Sequence, residues 1–173
     1  MRKAGAFVCA AVVFLFSACG EKATTRSAAN EGTATGIVVG ERVPDFTGLS
    51  LDGTKSIRLS DVHARRIVIT FWASWCLPCA EETEVLKEHY AKTSRSDFEV
   101  IGIAYDDALS DSRRFARDQA IPWALVQDTD KTIARSYGIR GIPVAVFIDA
   151  KHVVHTQVFG LTTTGRLDEA LKS

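Results

Sequence analysis

The sequence predicts one α/β domain, a mixed β-sheet flanked by helices, and three observations carry that prediction. The chain has 173 residues with 46% hydrophobic content, which suits a single globular domain plus extensions. From residue 67 onward, apolar strand-like runs alternate with segments of helical period, as expected when helices pack on a sheet. Finally, the apolar run 67–71 leads through the aromatic-rich residues 72–75 straight into a helix whose first turn holds Cys76, Leu77, Pro78 and Cys79. Two thiols are thereby presented at a helix N-terminus, where unpaired N–H groups and the positive end of the macrodipole favour a thiolate. Pro78 is accommodated because the first turn needs no N–H from it.

The amino terminus has the three parts of an export signal, residues 1–18: Arg2 and Lys3, an apolar run over 4–16, then small residues before Cys19. The run is too short for an ordinary membrane-spanning helix, which needs about 20 apolar residues. Phe16-Ser17-Ala18-Cys19 resembles a bacterial lipobox, implying cleavage before Cys19, acylation of its sulfur and a lipid anchor in the membrane. Ala18-Cys19-Gly20 would also serve an ordinary signal peptidase and discard Cys19. Either way Cys9 leaves with the signal, and the mature protein keeps one possible pair, Cys76 and Cys79, in a compartment that is oxidising by default. The whole chain has 21 basic and 21 acidic residues, so no electrostatic footprint for nucleic acid follows. Residues 19–40 have almost no large apolar side chain until Ile37 and read as a flexible tether, with the folded domain over 41–173.

Within that domain, Val43 to Phe46, the apolar runs 49–51 and 57–59, and Asp52-Gly53 between them read as a β-hairpin. Ser60-Asp61 starts a brief helical turn, and Arg65-Arg66 lead into the central strand. The helix over 76–92 places Cys79, Glu82, Leu86, His89 and Tyr90 on one face and Glu81, Glu84, Lys87 and Glu88 on the other. A strand follows over 98–104, a charged amphipathic helix over 110–119, and a short strand over 121–126. Asp128, Thr129 and Asp130 are N-cap candidates for a helix through Tyr137 that Gly138 ends. Pro143 opens the apolar strand 144–148, and residues 149–151 turn the chain into a strand over 153–159. Thr163 or Thr164 then caps a last helix through Leu167 and Leu171. His152 and His155, three apart on a strand, point to opposite faces and cannot chelate one ion, so no metal site is expected.

The C-x-x-C has two plain readings besides redox chemistry. Structural zinc wants four Cys or His ligands, and no second C-x-x-C or H-x-x-x-H exists here. A staple closing so short a loop contributes little chain entropy. A C-x-x-C just past a strand reads instead as a redox motif in which the second sulfur resolves a mixed disulfide formed on the first. Glu82 lies on the inward face: its side chain either escapes to solvent at the helix start, or is buried and exchanges a proton with the Cys79 thiol. Trp72 fills core beside the helix, whereas Trp75 belongs to an exposed apolar surface with Leu77 and Pro78.

FWASWCLPC resembles the active-site segment of the thioredoxin superfamily, and GIRGIP (138–143) resembles its cis-proline loop. The match is to the TlpA/ResA-like branch of extracytoplasmic thiol-disulfide oxidoreductases, over about residues 40–173. The resemblance implies a thioredoxin-like fold with an N-terminal hairpin and a central strand-helix insertion between Ala108 and Gln127. It implies a cis Ile142-Pro143 bond facing Cys76, with the Ile142 backbone pairing an extended substrate segment. It adds weight to Glu82, because this branch places a Glu three residues after the second Cys. Thioredoxin's own buried acid sits six residues before the first Cys, where this chain has Thr70. The implied work is reduction of disulfides in envelope proteins such as apocytochrome c, with a membrane thiol transporter as electron donor and no cofactor. Two other classes fit less well. A peroxiredoxin would have P-x-x-x-T/S-x-x-C, where this chain has Ile69 and Ala73, and a Sco-type copper module has three residues between its cysteines.

Overall fold

Strand β3, Arg66–Trp72, is the middle strand of the main sheet, with two strands on each side of it. The computed structural model describes residues 36–172. The expected export signal, Cys19 and the expected tether up to residue 35 lie outside the described residues. A five-stranded sheet runs in the order β5-β4-β3-β6-β7. β4 (Phe98–Tyr105) and β5 (Ala124–Asp128) lie parallel to β3, whereas β6 (Val144–Asp149) and β7 (Val154–Phe159) form the antiparallel half. The parallel crossovers carry α1 (Leu77–Lys92) and α2 (Leu109–Asp118); α3 (Thr132–Ser136) precedes β6 and α4 (Thr164–Lys172) follows β7. A separate antiparallel pair, β1 (Thr47–Leu49) and β2 (Ser56–Arg58), forms the N-terminal hairpin. The expected mixed sheet, hairpin and thioredoxin-like layering are all present.

Alternation along β3 splits the core in two. Ile67, Ile69 and Phe71 join Leu59, Tyr137 and Val146 in one cluster, under the hairpin side. Val68 faces the other way, with Leu86 of α1, Phe98, Phe147 and Leu167 of α4. Gly138 ends α3 at φ +70, and a Cβ there would come within 2.6 Å of Gly36 Cα, so both the backbone and the close approach require glycine.

Several elements depart from their expected bounds. β5 starts at Ala124, where its ladder with Ile101 begins, rather than at residue 121; Pro122 has no N–H to donate. The residue at the N-cap of α3 is Lys131, at φ 58, yet Asp128 still does the capping from further back, accepting from Ile133 N–H at 3.0 Å and Ala134 N–H at 2.8 Å. His152 is not on a strand: it sits in the turn at φ 60 with its ring 3.2 Å from the Val62 carbonyl, while His155 meets Arg66 at 3.3 Å. The two rings thus serve different partners. Residues 36–40, placed by sequence in the tether, already hold to the domain, since Gly40 N–H donates to Val154 O and Gln157 to Ile37 O. Among the described residues no helix is long and apolar enough to cross a membrane.

Candidate active site

Cys76 is the N-cap of α1, with extended backbone, and its sulfur accepts the Cys79 N–H at 3.3 Å. The same N–H also reaches the Cys76 carbonyl at 3.1 Å, and negative charge on this sulfur meets both a hydrogen bond and the positive end of a 16-residue helix. Cys76 and Cys79 are joined as a disulfide, which makes this the oxidised form of the pair. Both are buried, Cys76 with a 6% exposed edge and Cys79 with 1%. On either side of Cys76, Trp75 is 60% and Leu77 81% exposed, and Pro78 is exposed as well. Trp72 is buried, stacked on Phe115, as the sequence suggested.

The loop that delivers Cys76 is held by an anchor the sequence did not disclose. The Asp107 carboxylate, after β4, accepts from Ser74 N–H at 2.8 Å, Ser74 hydroxyl at 2.9 Å and Ser112 hydroxyl at 2.6 Å. The Trp75 indole donates to the neighbouring Asp106 carbonyl at 3.3 Å. Nothing local signals these bonds, because the partners of Ser74 and Trp75 lie more than thirty positions downstream.

The Ile142-Pro143 peptide bond is cis. Ile142 packs against the cluster that contains Cys76, Cys79, Trp72 and Ala73, which brings the proline loop to the dithiol. Gly160 N–H donates to the Pro143 carbonyl at 2.9 Å and ties the end of β7 to this loop. Phe159, opposite Val144 in the β6–β7 ladder and 65% exposed, therefore stands at the same end of the sheet; sequence reasoning did not single it out.

Glu82 is 1% exposed, so its side chain does not escape to solvent. Thr70 hydroxyl donates to Oε2 at 2.6 Å and Thr162 N–H donates to Oε1 at 3.2 Å. Burial pushes the Glu82 carboxyl above its ordinary range; Thr162, the Thr70 hydroxyl and the charge of Arg166 pull against it. One turn back on the same face lies Cys79, within about 5–6 Å of Glu82, Cβ to Cβ. Thr162 was not foreseen, since it comes from the loop before α4, 80 positions away.

The sequence model of the AhpC/TSA family matches residues 39–157. Among curated proteins, the thiol-disulfide oxidoreductase ResA of Bacillus thuringiensis (strain Al Hakam) is 28% identical over 134 residues, 78% of this chain and 77% of that protein. The thiol:disulfide interchange protein DsbE of Pseudomonas fluorescens biotype C is 26% identical, over 72% of this chain and 68% of its own length. Among solved structures, a Chlorobium tepidum protein assigned as a thiol:disulfide interchange protein DsbE superposes with a TM-score of 0.71 at 25% identity, covering 79% of this chain and 96% of that one.

Proposed function

The chain belongs to the AhpC/TSA family and is a thiol-disulfide oxidoreductase similar to ResA; we propose that it works in the cell envelope, tethered to a membrane through Cys19, and reduces disulfides in envelope proteins. The observation that carries the reading is Cys76 at the N-cap of α1, bonded to Cys79 and set between two exposed apolar side chains beside the proline loop.

In the reduced enzyme, Cys76 thiolate attacks one sulfur of a partner disulfide. A mixed disulfide forms, and the other partner sulfur leaves as a thiolate that takes up a proton. Cys79, giving its proton to the Glu82 carboxylate, attacks Cys76 Sγ, releases the second partner thiolate and leaves the Cys76–Cys79 disulfide seen here. Two electrons have passed to the partner. A membrane thiol transporter would return them. Trp75, Leu77 and Pro78 on one side and Ile142, Pro143 and Phe159 on the other form the surface that receives the partner segment, with apocytochrome c one substrate of suitable chemistry.

The test is reduction of a protein disulfide by the wild type and by Cys79→Ala. Turnover by the wild type, with the variant stalled as a mixed disulfide on Cys76, supports the reading. A variant that turns over normally would remove Cys79 from it. A peroxidase of peroxiredoxin type is disfavoured, because the positions seven and three before Cys76 are the fully buried, apolar Ile69 and Ala73.

A further inference from the structure

Thr70 is flanked across the sheet by Gly102 of β4 and Ala145 of β6. Residues paired in register share a face, so beneath α1 the central strand offers one hydroxyl between the two smallest residue types. The packing there is close: a Cβ on Gly102 would lie 2.5 Å from Leu125 Cδ2 and 2.8 Å from Trp72 Nε1. Glu82 reaches down from α1 to this strand and bonds Thr70. Both side chains are buried, Thr70 at 4% and Glu82 at 1% exposure.

The two partners of the carboxyl differ in what they can do. The Thr162 N–H on Oε1 can only donate, whereas the Thr70 hydroxyl on Oε2 can donate or accept. A carboxylate accepts from both. A carboxylic acid has to donate through one oxygen, and a proton on Oε1 would point at another hydrogen, while a proton on Oε2 meets an oxygen lone pair.

We propose that Thr70 is a positioning residue for Glu82: its hydroxyl donates to the carboxylate, turns to accept from the carboxylic acid, and thereby fixes Oε2 as the oxygen that gains and loses the proton. The proposal rests on the reading of Glu82 as proton partner of Cys79. The other groups that reach Glu82 are few. Arg166 of α4 acts through its charge, Thr162 supplies its N–H while its buried hydroxyl makes no hydrogen bond, and Cys79 lies one turn back on α1. Around Thr70 itself, β4 and β6 contribute only the uncharged Gly102 and Ala145.

The experiment is a pH titration of the full chain carrying 13C at glutamate carboxyls, with the Glu82 resonance identified by its loss in Glu82→Gln. Because a hydrogen bond to a charged acceptor is stronger than one to a neutral acid, Thr70→Val should move the Glu82 midpoint up by about one pH unit. Thr70→Ser should keep the wild-type midpoint. If valine is not tolerated, Thr70→Ala removes the same hydroxyl without added bulk and should give the same upward shift. An unmoved midpoint in the hydroxyl-free variant, or a serine variant that shifts as far, overturns the proposal. Wild-type turnover by Glu82→Gln would instead sink the proton role of Glu82, and the midpoint shift would be unaffected by that outcome.

Discussion

Two successive turns of α1 break the ordinary rule of burial in opposite directions. The first turn and its cap leave apolar side chains in water, with Leu77 81% and Trp75 60% exposed, while the second turn buries a carboxyl, Glu82, at 1%. Leaving a leucine exposed forgoes about 1.5–3 kcal/mol that burial would supply. Burying an ionised carboxylate costs several kcal/mol before its hydrogen bonds offset part of it. Neither departure helps the fold, and both suit the proposed reaction, which needs an outer turn open to a partner protein and an inner turn where a proton is held out of water. Both cysteines are buried, Cys76 with a 6% exposed edge and Cys79 with 1%.

Four substitutions would break or sharpen that contrast. The largest effect is expected at the outer sulfur: Cys76→Ala should bring disulfide reduction down to background, measured on any protein disulfide, with the fold intact. Next is the inner turn, where Glu82→Gln should slow turnover by about 10²-fold, the scale of a lost proton-transfer group. Its stability profile has a defined sign. Burial raises the folded-state value above the ordinary 4.5, so between the two the native state holds more protons than the unfolded chain. The Glu82 contribution to stability is then fully present below about 4.5 and is lost as pH rises through the folded value. Urea melts across that range should show the decline flattened in Glu82→Gln, and identical slopes would contradict the burial argument.

Leu77→Ser should raise KM for a protein disulfide by roughly tenfold, leave a small-molecule disulfide unaffected, and change stability by no more than about 0.5 kcal/mol. Equal effects on both substrates would mean that Leu77 is not a contact residue. Smallest is the anchor behind the loop: Asp107→Asn should cost about 1 kcal/mol in a thermal melt, because one acceptor for Ser74 or Ser112 is weakened. It should slow reduction less than Glu82→Gln does.

Much of the outer turn was legible in the sequence. A strand running into C-x-x-C with Pro78 between the cysteines specifies a helix start, and helix starts are governed by groups within four residues of each other. The inward face of α1 was equally readable, since the 3.6-residue period put Cys79, Glu82 and Leu86 together, and all three are buried. The inner turn was half legible. Periodicity gave the direction in which Glu82 points but could not distinguish burial from escape to solvent. That was decided by Thr70, 12 positions upstream, and Thr162, 80 positions downstream. The short elements slipped for the same reason. The start of β5 follows its ladder with β4, and the cap of α3 comes from Asp128 across a left-handed Lys131. His152 left its expected strand because the β6–β7 connection places it in the turn.

By itself the sequence determined the order of strands and helices, the thiol pair at a helix start and the side of that helix on which an acid would lie. These are properties of periodicity and of neighbours a few residues apart. The tertiary structure alone decided that the acid is sealed in, which hydroxyl and which N–H hold its two oxygens, and that Asp107 fixes the loop before Cys76. Those outcomes depend on groups distant in the chain meeting in a space that forms only when α1 and the loop before α4 close over the sheet, and no local pattern encodes that closure.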